Sequence, residues 1–462
     1  MSALLISPTF WLLFASFLSA TIWMLTKRIP DADTLWSRLW DILADRRLLL
    51  ILLLADLANV SYRVVSGYIN PTDYVQDVVA SRQFLLRETM YPADFRVRGV
   101  AEVAAPMPGR EWIEPIPVFR RVFQTMEITA PFVGHPPLLG ILTAPAVATF
   151  GMRGAYLTTV LVTSILLCVS LLWILRELHG TISKPHYIGL IGLLFGWFSV
   201  NALLRSGQPA AILLFLLVGS WLLLRRGRAW AAGIPIGIAA SIQVFPAFFL
   251  VYFALRSWRS LVTALTTIAV ILAVIRATTV PGTYEQWLAA AAHMAGDFVT
   301  LRTNLSIASL GAGFLQALGY SVNVQLAGTL SMVLIVTSLV LWMKPWAMLR
   351  QTHRGLDIEF SLFTIAMLLA SPLFWNRYQP ILMLPLAVLF RYRSDKQSPY
   401  AAIAWLVVLT GLCLPEQILE AWNDSLPSLL GSPLSWVLTS AGIFSVMLVA
   451  VWTARLSRVT RS

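Results

Sequence analysis

The stretch AYLTTVLVTSILLCVSLLWIL at positions 155–175 decides the fold class. It contains no charged side chain and shows no alternation of apolar and polar positions. Hydrocarbon offers no water to satisfy backbone N–H and C=O groups, so an apolar run of about 20 residues reads as a helix crossing a bilayer. Such runs recur on both sides of this one. The pattern places spans at about 8–25, 48–65, 155–175, 185–204, 208–224, 260–280, 324–343, 360–375, 379–390, 401–414 and 434–451. The expectation is a single all-α, polytopic integral membrane domain, 1–462, with about 11 to 13 transmembrane helices.

Composition agrees. Hydrophobic residues make up 58% of the chain and charged ones 12%, about half the charge of a soluble domain. Mean hydropathy is +0.75. The net charge of +12 suggests a nucleic-acid partner only if the basic residues form a solvated face. They fall instead in short clusters at the ends of apolar runs, the mark of cytoplasmic loops, so no nucleic acid is expected. Cys168 and Cys413 sit in apolar runs and read as buried thiols rather than a disulfide or metal site. The first run lacks a basic flank and a clear cleavage site, so it reads as a retained helix.

The loops set the expected orientation. Lys27, Arg28, Arg38, Arg46 and Arg47 mark the first inter-span segment as cytoplasmic, which makes 66–134 a large external loop. The segments 281–323 and 371–380 face outward by the same rule, and several basic segments face inward. Two places break the alternation. The clusters Arg225–Arg228 and Arg256–Arg259 both read as cytoplasmic with one interrupted apolar stretch between them, so a hairpin of two half-length helices with its tip near Gln243 is expected. The segment 136–150, rich in Pro, reads as re-entrant or as a short tilted helix. No internal repeat is evident.

The first external loop carries the most informative chemistry. After Pro71 and Thr72, the residues Val75, Val78, Val79, Arg82, Leu85 and Leu86 recur at helical spacing, predicting an amphipathic helix on the membrane surface with Asp73 at its start. Two readings of that carboxylate stand side by side. Thr72 or Asp73 caps the helix, or Asp73 lies at the lipid–water boundary to take a proton from a hydroxyl acceptor.

The run Asp73, Ala80, Ser81, Arg82, Leu85, Leu86 and Tyr91 resembles the first-loop motif of glycosyltransferase family 87, the polyprenol-phosphate-mannose-dependent group with the GT-C fold. Pro136-Pro137 with Pro145 is similar to its Pro-Pro segment, and Gly207-Gln208 to its Gly-Gln element. Arg225 to Arg228 leads into Gly233 and Pro246 as the family's small-residue helix does. Asn304-Leu305-Ser306 resembles its Asn-x-Ser loop, and Ser371-Pro372-Leu373-Phe374-Trp375 its Ser-Pro-x-x-Trp element. The resemblance extends over roughly 68–385 and implies a GT-C-type bundle. It also implies an inverting transfer of a sugar, mannose by family habit, from a polyprenyl-phosphate donor to a lipid or glycan acceptor on the external face. The bacterial inner membrane is the location it implies, and Asp73 the catalytic base. A leaving lipid phosphate departs as a stable anion, so one carboxylate suffices and cationic or amide groups should meet the phosphate.

Arg377, His135, Arg205, Gln208, Gln243 and Arg82 are the candidates for that second role. Each has a plainer reading: His135 hydrogen-bonds a loop carbonyl, Arg205 reaches headgroups, and Arg120-Arg121 forms a surface pair. Arg302, Asn304, Ser306, Asp77 and Trp375 are candidates for acceptor or loop contacts, although Asp77 and Asp297 also read as solvated charges or caps. Two positions depart from the family, which usually has Lys at Gln243 and His at Arg377. No metal-ligand spacing is seen and no cofactor is expected, though one carboxylate can still help to hold a divalent ion. Most of the 18 Trp and 23 Phe read as lipid-facing, with Trp287, Trp375 and Trp422 set apart for sugar contact. A transporter or flippase of a lipid-linked saccharide, or an inactive scaffold, are the alternative readings.

Overall fold

The computed structural model describes residues 45–69, 73–91, 135–181, 183–298, 304–320, 328–329, 332–333, 335–337, 352–392, 408–412 and 441–456. The expected spans at 8–25, 324–343 and 401–414 lie wholly or largely outside them, as do Arg120, Arg121, Arg302 and Trp422. In chain order the helices are α1 Arg46–Ile69, α2 Tyr74–Leu85, α3 Pro137–His179, α4 Lys184–Gly196, α5 Phe198–Ser206, α6 Ala210–Arg225 and α7 Ala229–Ile242. There follow α8 Phe249–Arg256, α9 Trp258–Thr278, α10 Thr283–Phe298, α11 Ile307–Ala317, α12 His353–Ala370, α13 Met383–Tyr392 and α14 Ala441–Leu456. Among the described residues no strand forms, and one isolated antiparallel bridge joins Asn304 to Trp375.

Burial is inverted in the way a bilayer demands. On α1, Leu50, Leu53, Leu54 and Leu57 are 38–64% exposed, whereas Asp56, Asn59 and Arg63 are buried. Water would favour the opposite arrangement; hydrocarbon outside and polar contacts inside favour this one. Among the described residues α3 and α9 are long and apolar enough to cross a membrane, and the pair α4–α5 joins them if its two bent halves form one span. Five shorter apolar helices accompany them.

One expected span is interrupted, and the segment read as re-entrant or short and tilted is helical. The stretch 185–204 bends by 63° at Trp197, whose backbone is extended. Asn201 donates through its amide to the Phe195 and Trp197 carbonyls freed there, at 2.7 and 3.1 Å. The 136–150 segment is the short first part of α3, set off by Gly151 at φ +66, a conformation that glycine alone adopts cheaply.

The chain divides into two compact units, Met1–Tyr62 with Cys168–Ala202 and Val299–Ser462, and Arg63–Leu167 with Leu203–Phe298. In the second unit α6, α7 and α9 pack side by side. Gly233 and Gly237 of α7 let α9 come close: a Cβ on Gly237 would lie 2.6 Å from Thr267 Cβ and 2.8 Å from the Ala264 carbonyl. Ser260 Oγ donates to the Ala229 carbonyl at 2.5 Å and Thr263 Oγ1 to that of Trp230 at 2.6 Å. Contacts advance together, 229 with 260 and 237 with 267, so α7 and α9 run parallel and start at the same end. The chain between them must therefore return. It breaks at Gln243, whose φ and ψ are −150° and 136°, and comes back through a 3-10 turn at Phe245–Phe248 and α8. The half-length hairpin expected from charge parity is the observed structure.

Candidate functional site

The site is built on α2 in the second unit. Thr72, one of the two expected caps, lies outside the described residues. Asp73 occupies the N-cap position, but its side chain makes no capping hydrogen bond. Its own placement is fixed by Tyr74, fully buried against Tyr156 with ring centroids 5.7 Å apart and accepting a hydrogen bond from Thr159 Oγ1 at 3.0 Å. Tyr74, Val78 and Val79 form an apolar cluster with Val147, Met152, Ala155 and Tyr156 of α3.

The opposite side of α2 is buried too. Asp77, read from the sequence as a solvated charge or cap, is 2% exposed, and Ser81 one turn on is fully enclosed. Ser81 Oγ reaches the Asp77 carbonyl at 2.6 Å and the Gly140 carbonyl at 2.8 Å. Gly140 permits this approach, since a Cβ there would stand 2.9 Å from that of Ala80. The expectation of a surface helix is corrected: α2 is a buried strut, because α3 supplies polar partners that the sequence period does not display.

One turn after Asp73, the Asp77 carboxylate meets His135. The Asp77 Oδ1 to His135 Nδ1 distance is 2.8 Å, and His135 Nε2 lies 2.9 Å from Gln208 Oε1. With the Gln208 amide oxygen turned to the ring, both nitrogens face acceptor oxygens, the arrangement that suits the doubly protonated imidazolium. Burial by itself would lower the His135 pKa, but the Asp77 charge with its hydrogen bond, and the bond to Gln208, raise it above the ordinary histidine value. Tyr91 donates its hydroxyl to the His135 carbonyl at 2.9 Å. Burial and the nearby Asp77 charge push that phenol's pKa well up, so it remains a donor. Neither the solvated Asp77 nor the carbonyl-bound ring of His135 is found; the two form one buried pair.

Gln208 arrives at the pair by way of a turn that only glycine allows. Gly207 has φ +64, and a Cβ on it would sit 2.7 Å from the Tyr74 ring. The end of α5 and the start of α6 are thereby pressed onto α2. Arg205, in the last turn of α5, is half-buried with its charge near Tyr156, and its Nε has no hydrogen-bond partner among the described residues. Arg82 is buried in the last turn of α2, and Gln243 is half-buried at the hairpin break. Trp287 does not offer a stacking surface: it is 2% exposed and packs with Ala80, Met90 and Tyr91.

The remaining candidates lie in the other unit. Asn304 clasps the 371–375 segment, accepting from Phe374 N–H at 2.9 Å and donating to the Pro372 carbonyl at 2.7 Å. Leu305 N–H donates to the Phe374 carbonyl at 2.6 Å, while Ser306 Oγ donates to the Pro372 carbonyl at 3.4 Å and caps α11 by accepting from Ser309 N–H at 3.1 Å. These polar groups shape a loop. Beside it the Arg377 guanidinium lies over the half-buried Trp375 ring, 5.2 Å from its centroid. Among the described residues no three His, Cys, Asp or Glu side chains gather as metal ligands do.

The family model described as glycosyltransferase family 87 matches residues 132–372, more than half of the chain. The chain belongs to glycosyltransferase family 87. Its fold class follows: an all-α membrane glycosyltransferase, in keeping with the helices and inverted burial above. Neither the curated proteins nor the solved structures yield a match. The family 87 match takes in His135, Arg205, Gln208, Gln243, Asn304 and Ser306, while Asp73 and Asp77 precede it and Trp375 and Arg377 follow it. Sequence reasoning named each of these residues but missed that Asp77, His135 and Gln208 touch. Positions 58 and 73 residues apart carry no shared period, and nothing local to α2, whose Gln76, Ser81, Arg82 and Gln83 are polar as well, sets Asp77 apart.

Proposed function

We propose that this chain moves a sugar, most simply mannose, from a polyprenyl-phosphate donor to a hydroxyl of a lipid or glycan acceptor, with inversion and on the external face of a bacterial inner membrane. Asp73 is the base. As the acceptor oxygen bonds to the anomeric carbon, its proton passes to the Asp73 carboxylate, and the anomeric carbon–oxygen bond breaks to release polyprenyl phosphate as an anion.

The observation that carries this reading is the position of Asp73. It opens α2, does not cap it, and stands one turn before an Asp77–His135–Gln208 linkage that fixes how α2 is rotated. A carboxylate on a rigid, internally paired element is what proton transfer at a defined angle needs. Arg205, half-buried beside this arrangement, supplies a cation for the donor phosphate, and Gln208 instead serves His135.

The test is incubation of the purified protein with labelled polyprenyl-phosphate mannose, and with its glucose and arabinose counterparts, plus a membrane lipid extract as acceptor. Release of polyprenyl phosphate together with a labelled product is expected. Donor that binds, or crosses a vesicle wall, and is never cleaved would replace the transferase reading by that of a flippase.

A further inference from the structure

Between Leu203 and Tyr284 the chain has seven arginines and no Asp, Glu, Lys or His. Arg205 and Arg276 stand apart, in the last turns of α5 and α9, but the fold gathers the other five. Because α7 and α9 run parallel, the arginines before α7 and those around the start of α9 come to the same end of the unit. Arg226, Arg228 and Arg259 are all exposed there. Trp230 and Trp258, 60% and 68% exposed, stand among them, and Leu255 and Val262 are exposed just beyond. The far end of α6 is the Gln208 turn, and its 16 residues rise about 24 Å, close to the thickness of a hydrocarbon core.

We infer that this end of the hairpin is a docking surface for anionic phospholipid headgroups of the leaflet opposite the active site. Charge and depth point the same way. A cluster of guanidinium groups with no carboxylate in the surrounding 80 or so residues draws its counter-charge from outside the segment, and guanidinium pairs with phosphate oxygens in bidentate fashion. Exposed tryptophan beside exposed aliphatic side chains marks the headgroup level of a membrane, where the indole N–H meets water and the ring meets acyl chains. A soluble phosphate would need the arginines and would have no use for the tryptophans. The segment Ala229–Arg256 accordingly does not cross the bilayer: it dips in from the basic side to Gln243 and returns to it.

The full-length protein in mild detergent provides the test, with phosphatidylglycerol, phosphatidylcholine and inorganic phosphate as probes and native mass spectrometry as the readout. Phosphatidylglycerol should be retained in preference to phosphatidylcholine, and R226Q/R228Q/R259Q should reduce its binding on the order of tenfold or more while the donor is still cleaved at the basal rate in detergent. Unchanged phosphatidylglycerol retention in the triple variant overturns the proposal, and so does displacement of the lipid by millimolar inorganic phosphate. A second arm reads topology in sealed vesicles: with Cys168 and Cys413 replaced by Ser, cysteines at R226C and R259C should react with a membrane-impermeant thiol reagent from one side. Labelling from opposite sides contradicts a hairpin.

Discussion

At the Gln208 end of α6 a carboxylate and an imidazole are buried as a pair, Asp77 against His135 with Gln208 at the other ring nitrogen, beside a half-buried Arg205. At the Arg225 end five arginines gather, Arg226, Arg228 and Arg259 of them exposed, in a stretch without a carboxylate. One helix thus joins two opposite treatments of charge. Where a carboxylate must be held at a fixed angle, the chain supplies every partner itself and excludes water. Where the proposed lipid surface lies, it presents guanidinium groups beside exposed tryptophans.

The contrast is broken most severely by removing one member of the buried pair. D77A leaves a buried imidazolium without its counter-charge and should destabilise the protein by about 3–5 kcal/mol, seen as a fall in the melting temperature in detergent. Next in size is G207A, which forces a side chain into φ +64 and against the Tyr74 ring; a cost of about 1–3 kcal/mol for the backbone is expected, with a loss of transfer as α2 shifts. N304A removes the acceptor of the buried Phe374 N–H and should cost about 1–3 kcal/mol by the same assay.

Changing pH sharpens the contrast without a mutation. The His135 pKa is raised in the folded protein, so the stability its pairing contributes is fully present below the unfolded histidine value of about 6.5 and is lost as pH rises through the folded value. The melting temperature should therefore decline toward alkaline pH above neutrality, and H135Q should flatten that part of the curve. R228Q and R259Q at the other end should shift the melting temperature in detergent least of all, since exposed charges there stabilise little.

Much of this was written in the sequence, and what was not has a common cause. Apolar run length and charge placement identified α1, α6, α9 and even the hairpin at Gln243, because each depends only on neighbours along the chain. The bend at Trp197 was hidden, since Asn201 compensates the freed carbonyls and leaves an unbroken apolar pattern. The α2 helix was foreseen, but its burial was not: spacing shows which residues share a face and not what covers it. Likewise Asn304 and Ser306 matched a family motif, whereas their task of holding the 371–375 loop depends on partners 66 to 70 residues away.

Asp73 and Asp77 are one turn apart on the same helix, and the account gives them different work, chemistry to the first and structure to the second. The decisive measurement is polyprenyl phosphate release by purified D73N. Transfer should fall by about 10²–10⁴-fold while donor binding and the melting temperature stay at wild-type values. D73N that cleaves the donor at the wild-type rate, or that loses activity only in step with its melting temperature, would contradict it.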